Sequence, residues 1–238
     1  MKQNNKRIGI PGYLIGENTF GVAIDYLEFI TKYGVPVIIT PQDVNNIPDI
    51  DLLLCPGGPD ILPNKYGHIP SYRINKPSPM LEHFDDNILP QYMERKTPIL
   101  AVCRGMQFLW TKFGGKLIQH YPYHPQSRVS DDQCHELIFT KGFEAMDSLV
   151  DKVTSRHHQV CSARDKDGIP KDLLIIAYSG DKKKNEYDPD VVEIFKHKSY
   201  PMYGVQYHPE SHDLSDKLTP MFMDTLLNAN FKTVTTEK

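Results

Sequence analysis

The sequence predicts an α/β fold: a single-domain, three-layer sandwich in which helices cover both faces of a largely parallel central sheet. Its 238 residues, 39% hydrophobic and 24% charged, suit one compact domain over 1–238, with a core at about 7–230. Strand-length apolar runs alternate with helical patterns in the first half, as is typical of parallel sheets. Shorter strand candidates follow, so we expect mixed or antiparallel strands to extend the sheet in the C-terminal half.

Two runs of the first half look like central strands. Residues 51–54 and 98–102 are apolar without alternation, a pattern typical of strands buried on both faces. Turn residues follow each run directly. Ligands bind at the carboxyl ends of strands in doubly wound sheets, so these two turns should face one crevice. The strands predicted for this half are 7–10, 35–40, 51–54 and 98–102.

Helical spacing predicts three helices, at 81–95, at 106–113 before a Gly-Gly pair, and at 215–229 with Ser215 as its N-cap. The polar stretch 180–189 contains three consecutive lysines and is predicted to be a mobile loop. The strands predicted for the second half are 135–140, 152–155, 173–179, 191–197 and 202–206.

Charge and cysteine usage exclude several classes of protein. The formal net charge is -3 and no basic stripe is present, so a nucleic-acid partner is not indicated. The apolar segment near the N-terminus is too short for a signal peptide or a membrane span, which predicts a cytoplasmic protein with no membrane partner. The four cysteines are irregularly spaced, and no two of them form a C-x-x-C motif. Neither a disulfide framework nor a zinc knuckle is therefore expected.

Cys103 carries the strongest chemical signal. It follows the predicted strand 98–102, stands on a tight turn between the small residues Ala101 and Gly105, and opens a helix. This is the pattern of a nucleophile elbow in thiol form. The positive end of the helix dipole favours a thiolate there. The alternative is a small buried side chain at a strand end, which is common for cysteine.

A nucleophilic cysteine needs a base, and His208 is the best candidate. It ends a predicted strand, and Pro209 holds its backbone extended, which places the imidazole at the rim of the sheet. Glu210 can then reach the second ring nitrogen and fix the tautomer, as in a catalytic triad. Taken alone, the segment also fits an exposed surface turn.

The pair Gly57-Gly58 follows the other predicted central strand, 51–54, and forms what we call the glycine loop. Glycine lets backbone N–H groups approach a developing oxyanion closely, so the N–H groups of Gly58 and Arg104 are predicted to form an oxyanion hole. The side chain of Arg104 is expected to be an ordinary surface cation.

These features together resemble the class I glutamine amidotransferase superfamily, and most closely its γ-glutamyl-γ-aminobutyrate hydrolase branch, peptidase C26. The branch motif C-R-G-x-Q is matched at 103–107, G-G-x-L-x-Q at 114–119, S-x-H-H-Q at 155–159 and G-V-Q-x-H-P-E at 204–210. The motif P-x-x-Y-G is matched at 63–67, after the glycine loop. The matches keep the order of the family over nearly the whole chain.

The resemblance implies a flavodoxin-like fold and a cysteine amidohydrolase that cleaves the γ-amide bond of a γ-glutamyl compound and needs no metal or organic cofactor. Cys103, His208 and Glu210 would be the catalytic residues. The substrate would lie against the residues that match the family's binding motifs: Gly57, Gln107, Ser155, Arg156 and His157. Two departures, Trp110 and the pair Pro59-Asp60, leave the leaving group undecided.

Two other functions stay open. The chain could be a glutaminase subunit that hydrolyses glutamine and delivers ammonia to a separate synthase partner, or a non-catalytic binding protein of the same fold. The joint presence of Cys103, His208 and Glu210 argues against the second. The sequence does not decide the oligomeric state, and a homodimer remains open.

The sequence assigns no role to the remaining histidines. His157 and His158 could suggest a metal site with Cys161, Cys134 and His135, but no recognised ligand spacing is present, so no metal is predicted. His120, His124 and His135 are expected in loops or at strand ends.

Overall fold

The computed structural model describes residues 5–15, 19–71, 73–122, 124, 133–164, 168–184, 186–211 and 216–229. In this part of the chain, nine strands form one sheet, and two separate hydrophobic clusters lie on its two faces. The predicted three-layer α/β sandwich is therefore confirmed.

One half of the sheet is parallel. Its strands lie in the order β4-β1-β5-β6-β13, and each pair of neighbours is parallel. The two predicted central strands, β5 and β6, are fully buried, which agrees with their unbroken apolar sequences. The bounds are β1 (Arg7–Pro11), β4 (Val35–Ile39), β5 (Leu52–Cys55), β6 (Ile99–Val102) and β13 (Met202–Val205).

The other half is antiparallel, as predicted. It continues from β13 through β12 and β11 to β8 and β9. The strands β11 and β12 pair as far as Asp181 and Glu186, so most of the stretch predicted as a mobile loop at 180–189 is strand, and that prediction was wrong. The bounds are β8 (Gln133–Phe139), β9 (Lys152–Thr154), β11 (Leu173–Asp181) and β12 (Glu186–His197).

Two short ribbons lie outside this sheet. They pair β2 (Tyr13–Ile15) with β3 (Thr19–Gly21), and β7 (Leu117–Ile118) with β10 (Val160–Cys161).

Alternating side chains of the central strands build the two cores. Leu52 and Leu54 pack in the cluster under α1 and α5, whereas Leu53 and Cys55 pack in the cluster under α3 and α4. This alternation is what a strand with two covered faces requires. The helices are α1 (Ile24–Thr31), α2 (Pro79–His83), α3 (Leu89–Glu94), α4 (Arg104–Lys112) and α5 (Leu218–Leu227).

The helix predicted at 81–95 has a π-helical middle. A π segment, Phe84–Ile88, joins α2 to α3, and Pro90 stands in the first turn of α3, where its missing N–H removes one intrahelical hydrogen bond. The predicted N-cap of α5, Ser215, lies outside the described residues. The carboxylate of Asp216 accepts hydrogen bonds from the first backbone N–H groups of α5 instead.

The topology gathers the predicted catalytic segments at one edge. The neighbouring strands β5, β6 and β13 run parallel, so their carboxyl ends meet. The glycine loop follows β5, Cys103 follows β6, and His208 follows β13. The turns after β5 and β6 thus lie side by side, as the sequence predicted.

Candidate active site

Cys103 occupies a strained turn between β6 and α4. Its φ is 48° and ψ is -106°, a left-handed backbone that residues other than glycine rarely adopt. Its N–H donates to the Val205 carbonyl at 2.8 Å, and its carbonyl accepts from Gln107 N–H at 3.0 Å. Such strain persists only where surrounding structure holds it, and it clusters at functional sites. The backbone therefore has the geometry of a nucleophile elbow.

Gly105 is required by the close approach of α4 to β5. A Cβ on this residue would overlap the carbonyl oxygen of Cys55 and lie 2.8 Å from its Cβ. The N–H of Gly105 also donates to the Pro56 carbonyl at 3.1 Å. The glycine of the C-R-G-x-Q motif thus brings the start of the helix against the glycine loop.

His208 and Glu210 form a buried pair at the end of β13. Nδ1 of His208 lies 2.6 Å from Oε1 of Glu210, and the two residues are 9% and 5% exposed. A carboxylate only accepts, so His208 Nδ1–H donates and Nε2 carries the lone pair when the ring is neutral. The backbone N–H of His208 donates to Oγ1 of Thr154 at 3.1 Å, which fixes the turn. The exposed surface turn that the sequence left open is excluded.

Cys103 and His208 meet over Gly57. A Cβ on Gly57 would lie 3.0 Å from Cε1 of His208 and 3.5 Å from Cβ of Cys103, so a larger residue here would crowd the imidazole. Nε2 of His208 is buried and makes no hydrogen bond to the described residues. Catalytic hydrogen bonds are often long in a free enzyme and tighten when substrate binds.

The charges around His208 favour its protonated form. Burial lowers the pKa of the ring, but the neighbouring Cys103 and Glu210 outweigh burial and raise that pKa to about 10. The surroundings of His208 thus favour an imidazolium at neutral pH.

The glycine loop divides its backbone donors between two tasks. The N–H of Gly57, a predicted substrate contact, donates to the Tyr26 hydroxyl at 2.8 Å, so it is already occupied. Tyr26 is buried, and burial together with the nearby Glu210 raises its pKa well above the ordinary value. Gly58 lies exposed beside the first turn of α4, where the Arg104 N–H has no partner within the helix. These two N–H groups remain the candidates for an oxyanion hole.

The prediction that Arg104 carries a surface cation was wrong. Its side chain is 2% exposed and lies 2.7 Å from a carboxylate oxygen of Asp85 and 3.2 Å from one of Glu82. Burial raises the pKa of Asp85 to about 6, although Arg104 opposes the shift. A Cβ on Gly58 would lie 3.0 Å from Cδ of Arg104, so the buried arginine lies under the glycine loop. Its side chain therefore supports the loop from below.

The segment matching S-x-H-H-Q joins the three loops of the site. Gln159 Oε1 accepts from the Ile61 N–H at 3.0 Å, and its carbonyl accepts from Nε2 of Gln107 at 2.8 Å. Nη2 of Arg156 is hydrogen-bonded to Oγ of Ser211, beside Glu210. Of the predicted substrate contacts, Gln107 is thus bonded to this segment and Arg156 is bonded beside Glu210, while Ser155 and His157 are buried within the segment.

His158 points away from this center to the outer side of the glycine loop. Its Nε2 lies 3.0 Å from Oδ1 of Asp60, and that hydrogen bond is the main cause of a raised His158 pKa. Nδ1 of His120 lies 3.3 Å from Nδ1 of His158. Asp60, which departs from the family pattern, is therefore fixed to the S-x-H-H-Q segment. Trp110, the other departure, is fully buried in the core under α4.

Sequence reasoning missed four supporting residues: Tyr26, Thr154, Glu82 and Asp85. One signal was available, because Asp85 falls on the helix face of Leu81 and Ile88, where an acid needs a buried partner. A third missed acid, Glu193, interrupts the apolar run of β12 and lies beside His124 and His135, two buried histidines that the sequence left without a role.

Several known proteins resemble this chain. The peptidase C26 family matches residues 14–210. The glutamine amidotransferase-like protein YvdE of Lactococcus lactis subsp. lactis is 30% identical over 198 residues, which are 78% of each chain. Anthranilate synthase component 2 of Methanothermobacter thermautotrophicus is 28% identical over 127 residues, 52% of this chain and 54% of that protein.

Among solved structures, a protein from Thermoplasma acidophilum that is named as part of a GMP synthase superimposes with a TM-score of 0.61 at 18% identity, over 93% of this chain and 94% of its own. At that identity the likeness concerns the fold alone. Within the described residues, we find no helix whose length and apolar character would let it span a bilayer.

Proposed function

The chain belongs to the peptidase C26 family of the class I glutamine amidotransferase-like superfamily, and on that premise we propose that it hydrolyses the γ-amide bond of a γ-glutamyl compound. The family places it among cysteine amidohydrolases and glutamine amidotransferase-type enzymes, which act on C–N bonds. One observation carries the finer proposal: the strained Cys103 lies over Gly57 against His208, whose other nitrogen is bound to Glu210.

The first half of the reaction forms a thioester. The Cys103 thiolate attacks the γ-carbonyl carbon, and the carbonyl oxygen takes up the negative charge. The N–H groups of Gly58 and Arg104 donate to that oxyanion. His208 then gives its proton to the amide nitrogen, the C–N bond breaks, and the amine leaves. Glu210 keeps the imidazole in the orientation and tautomer that this transfer needs.

The second half releases glutamate. The neutral His208 takes a proton from water, and the hydroxide attacks the thioester carbon. The oxyanion collapses, the C–S bond breaks, and Cys103 leaves as a thiolate beside the protonated imidazole. The enzyme has returned to its starting charge state, and one water has been consumed.

Preference for a glutamyl group rests on the residues that match the family's binding motifs. Gln107 lies on α4, and its amide donates to the carbonyl of Gln159, which follows the segment from Ser155 to His157. We propose that Gln107 lies beside the glutamyl chain and that Ser155 and the backbone near His157 hold its α-carboxylate. Arg156, bound to Ser211, would add positive charge at that end.

A glutaminase subunit is the second candidate, and the relatives favour it. Anthranilate synthase component 2 and the Thermoplasma acidophilum structure both carry names of parts of larger synthases. The same Cys103–His208–Glu210 arrangement would serve glutamine hydrolysis, with ammonia delivered to a partner synthase. The chemistry is shared, so the two candidates differ only in the leaving group and the partner.

A substrate panel separates these candidates. Purified protein is incubated with glutamine, γ-glutamyl-γ-aminobutyrate and other γ-glutamyl amides, and released glutamate is quantified for each. We expect turnover of at least one substituted γ-glutamyl amide with kcat/KM above that for glutamine. Turnover of glutamine alone would favour the glutaminase candidate, and no glutamate release from any of the panel would contradict the proposal.

A further inference from the structure

A cluster of three histidines and one glutamate lies in the core beside the candidate active site. Glu193 stands in the middle of β12, His135 on β8, His157 between β9 and β10, and His124 before β8. Rings of His124 and His135 are 4.5 Å apart between centroids, and those of His124 and His157 are 4.8 Å apart. Four parts of the chain thus contribute to one buried polar group.

The cluster is buried, and several of its polar atoms lack a hydrogen-bond partner among the described residues. Side chains of Glu193, His124 and His135 are 0%, 2% and 5% exposed. Oε2 of Glu193 and Nε2 of both His124 and His157 make no hydrogen bond to any described residue. An unpaired polar group is unfavourable to bury, so three in one place point to a missing partner.

The existing hydrogen bonds leave the free atoms of His157 and Glu193 with lone pairs. Nδ1 of His157 lies 2.9 Å from the Gln159 carbonyl and must donate to it, which leaves Nε2 as an acceptor. Nε2 of His135 lies 2.9 Å from Oε1 of Glu193 and donates to that carboxylate, leaving Oε2 free. Metal ligands in proteins are held in this way, since a second group takes the opposite ring nitrogen or oxygen.

We propose that His124, His157 and Glu193 bind a divalent transition metal ion, with zinc the best match. Their donor atoms lie within 4.8 Å of one another, and the His124 Nε2 to Glu193 Oε1 distance is 3.6 Å. Ligands bound tetrahedrally to zinc lie about 3.4 Å apart, so closure requires side-chain shifts on the order of 1 Å. Two histidines and one glutamate are also a known zinc ligand set, with the fourth position open.

The site is separate from the catalytic chemistry. The proposed mechanism uses neither Glu193 nor His124, and the ion would supply positive charge beside a buried carboxyl group that pairs with no lysine or arginine of the described residues. His157 follows Thr154 by three residues, and Thr154 holds the His208 backbone. The ion would therefore anchor the segment that supports the base. Metal binding can therefore be tested without knowledge of the substrate.

Cobalt provides a spectroscopic test. The Cys103→Ala variant, which cannot offer its catalytic thiol to the metal, is freed of metal with a chelator and titrated with Co²⁺. We expect one cobalt per chain, tetrahedral d–d absorption without thiolate charge transfer, and displacement by Zn²⁺. In the same background, Glu193→Gln and His124→Gln should each weaken binding by about 100-fold or more, because each removes a ligand.

His158→Gln is the matched control, since His158 adjoins His157 but pairs with Asp60 on the other side of the loop. It should bind cobalt within about threefold of its parent. Zinc should raise the Tm of the parent and of the control but not that of Glu193→Gln. If Glu193→Gln does not fold, the cobalt affinity of His124→Gln and the cobalt stoichiometry of the parent test the proposal. The proposal is overturned if the parent takes up no cobalt at micromolar concentrations, or if both ligand variants bind it as the parent does.

Discussion

Replacing Glu210 by glutamine is the sharpest perturbation of the candidate triad. The substitution keeps the size of the side chain but removes the charge that lies 2.6 Å from Nδ1 of His208. A hydrogen bond to a charged group contributes about 1.5–3 kcal/mol, and about 1.4 kcal/mol corresponds to a factor of ten. If this interaction acts mainly in the transition state, kcat should fall about 10- to 150-fold while KM changes little.

The pH profile gives a second readout of the same variant. In the wild type, the charges of Cys103 and Glu210 raise the pKa of His208 to about 10 against the effect of burial. Activity should therefore fall at alkaline pH, where the imidazolium loses its proton. Removing one of the two anions lowers the pKa, so the alkaline limb of Glu210→Gln should move to lower pH. A merely structural role would leave that limb in place.

Steady-state kinetics on the best γ-glutamyl substrate measure both effects. Glu94→Gln, a substitution on the exposed end of α3, is the matched control and should behave as the wild type. A Glu210→Gln enzyme with kcat within twofold of wild type and an unchanged alkaline limb would refute the assignment of Glu210 as the residue that orients His208.

Three further substitutions or modifications test the surroundings of the site. Iodoacetamide should alkylate Cys103 before Cys55 at neutral pH, since burial raises the Cys55 thiol pKa; peptide mass mapping that finds Cys55 modified first would contradict the elbow. Gly105→Ala should lower Tm by about 2–12 °C in thermal melts, because its Cβ would meet the Cys55 backbone, an overpacking cost of about 1–3 kcal/mol. Asp85→Asn should cost about 1–3 kcal/mol in urea unfolding, and Asp86→Asn, its exposed neighbour, under about 1 kcal/mol; equal losses would argue against a buried ion pair.

Local patterns were enough to predict the parallel half of the sheet and the elbow. The strands β5 and β6 are unbroken apolar runs, and the turns after them carry the small residues that a close approach requires. The strand-end positions of Cys103 and His208 were also predicted, whereas the pairing of β13 with β6 was not. A strand-end residue needs no knowledge of distant side chains to be placed at the rim of a parallel sheet.

What the sequence could not predict depends on contacts between distant segments. Arg104 is buried because Glu82 and Asp85, on a helix about twenty residues earlier, turn toward it. The stretch after residue 180 looks like a loop by composition, but pairing with a neighbouring strand makes it a hairpin. In both cases tertiary contacts override local preference.

The histidine–glutamate cluster shows the same limit. His124, His157 and Glu193 follow no metal-ligand spacing in the sequence, and the fold brings them within 4.8 Å. Spacing rules apply to ligands that share one local element, such as a finger or a helix. They do not apply to a site whose ligands come from different strands and loops.

The central claim is that a γ-glutamyl group is transferred to Cys103. It is tested most directly by quenching the enzyme in acid during turnover of a γ-glutamyl substrate and mapping its peptides by mass spectrometry. We expect the mass of a γ-glutamyl thioester on the peptide that contains Cys103, absent from Cys103→Ala and lost on treatment with hydroxylamine. Full glutamate release by Cys103→Ala, or an adduct on another cysteine, would contradict the claim.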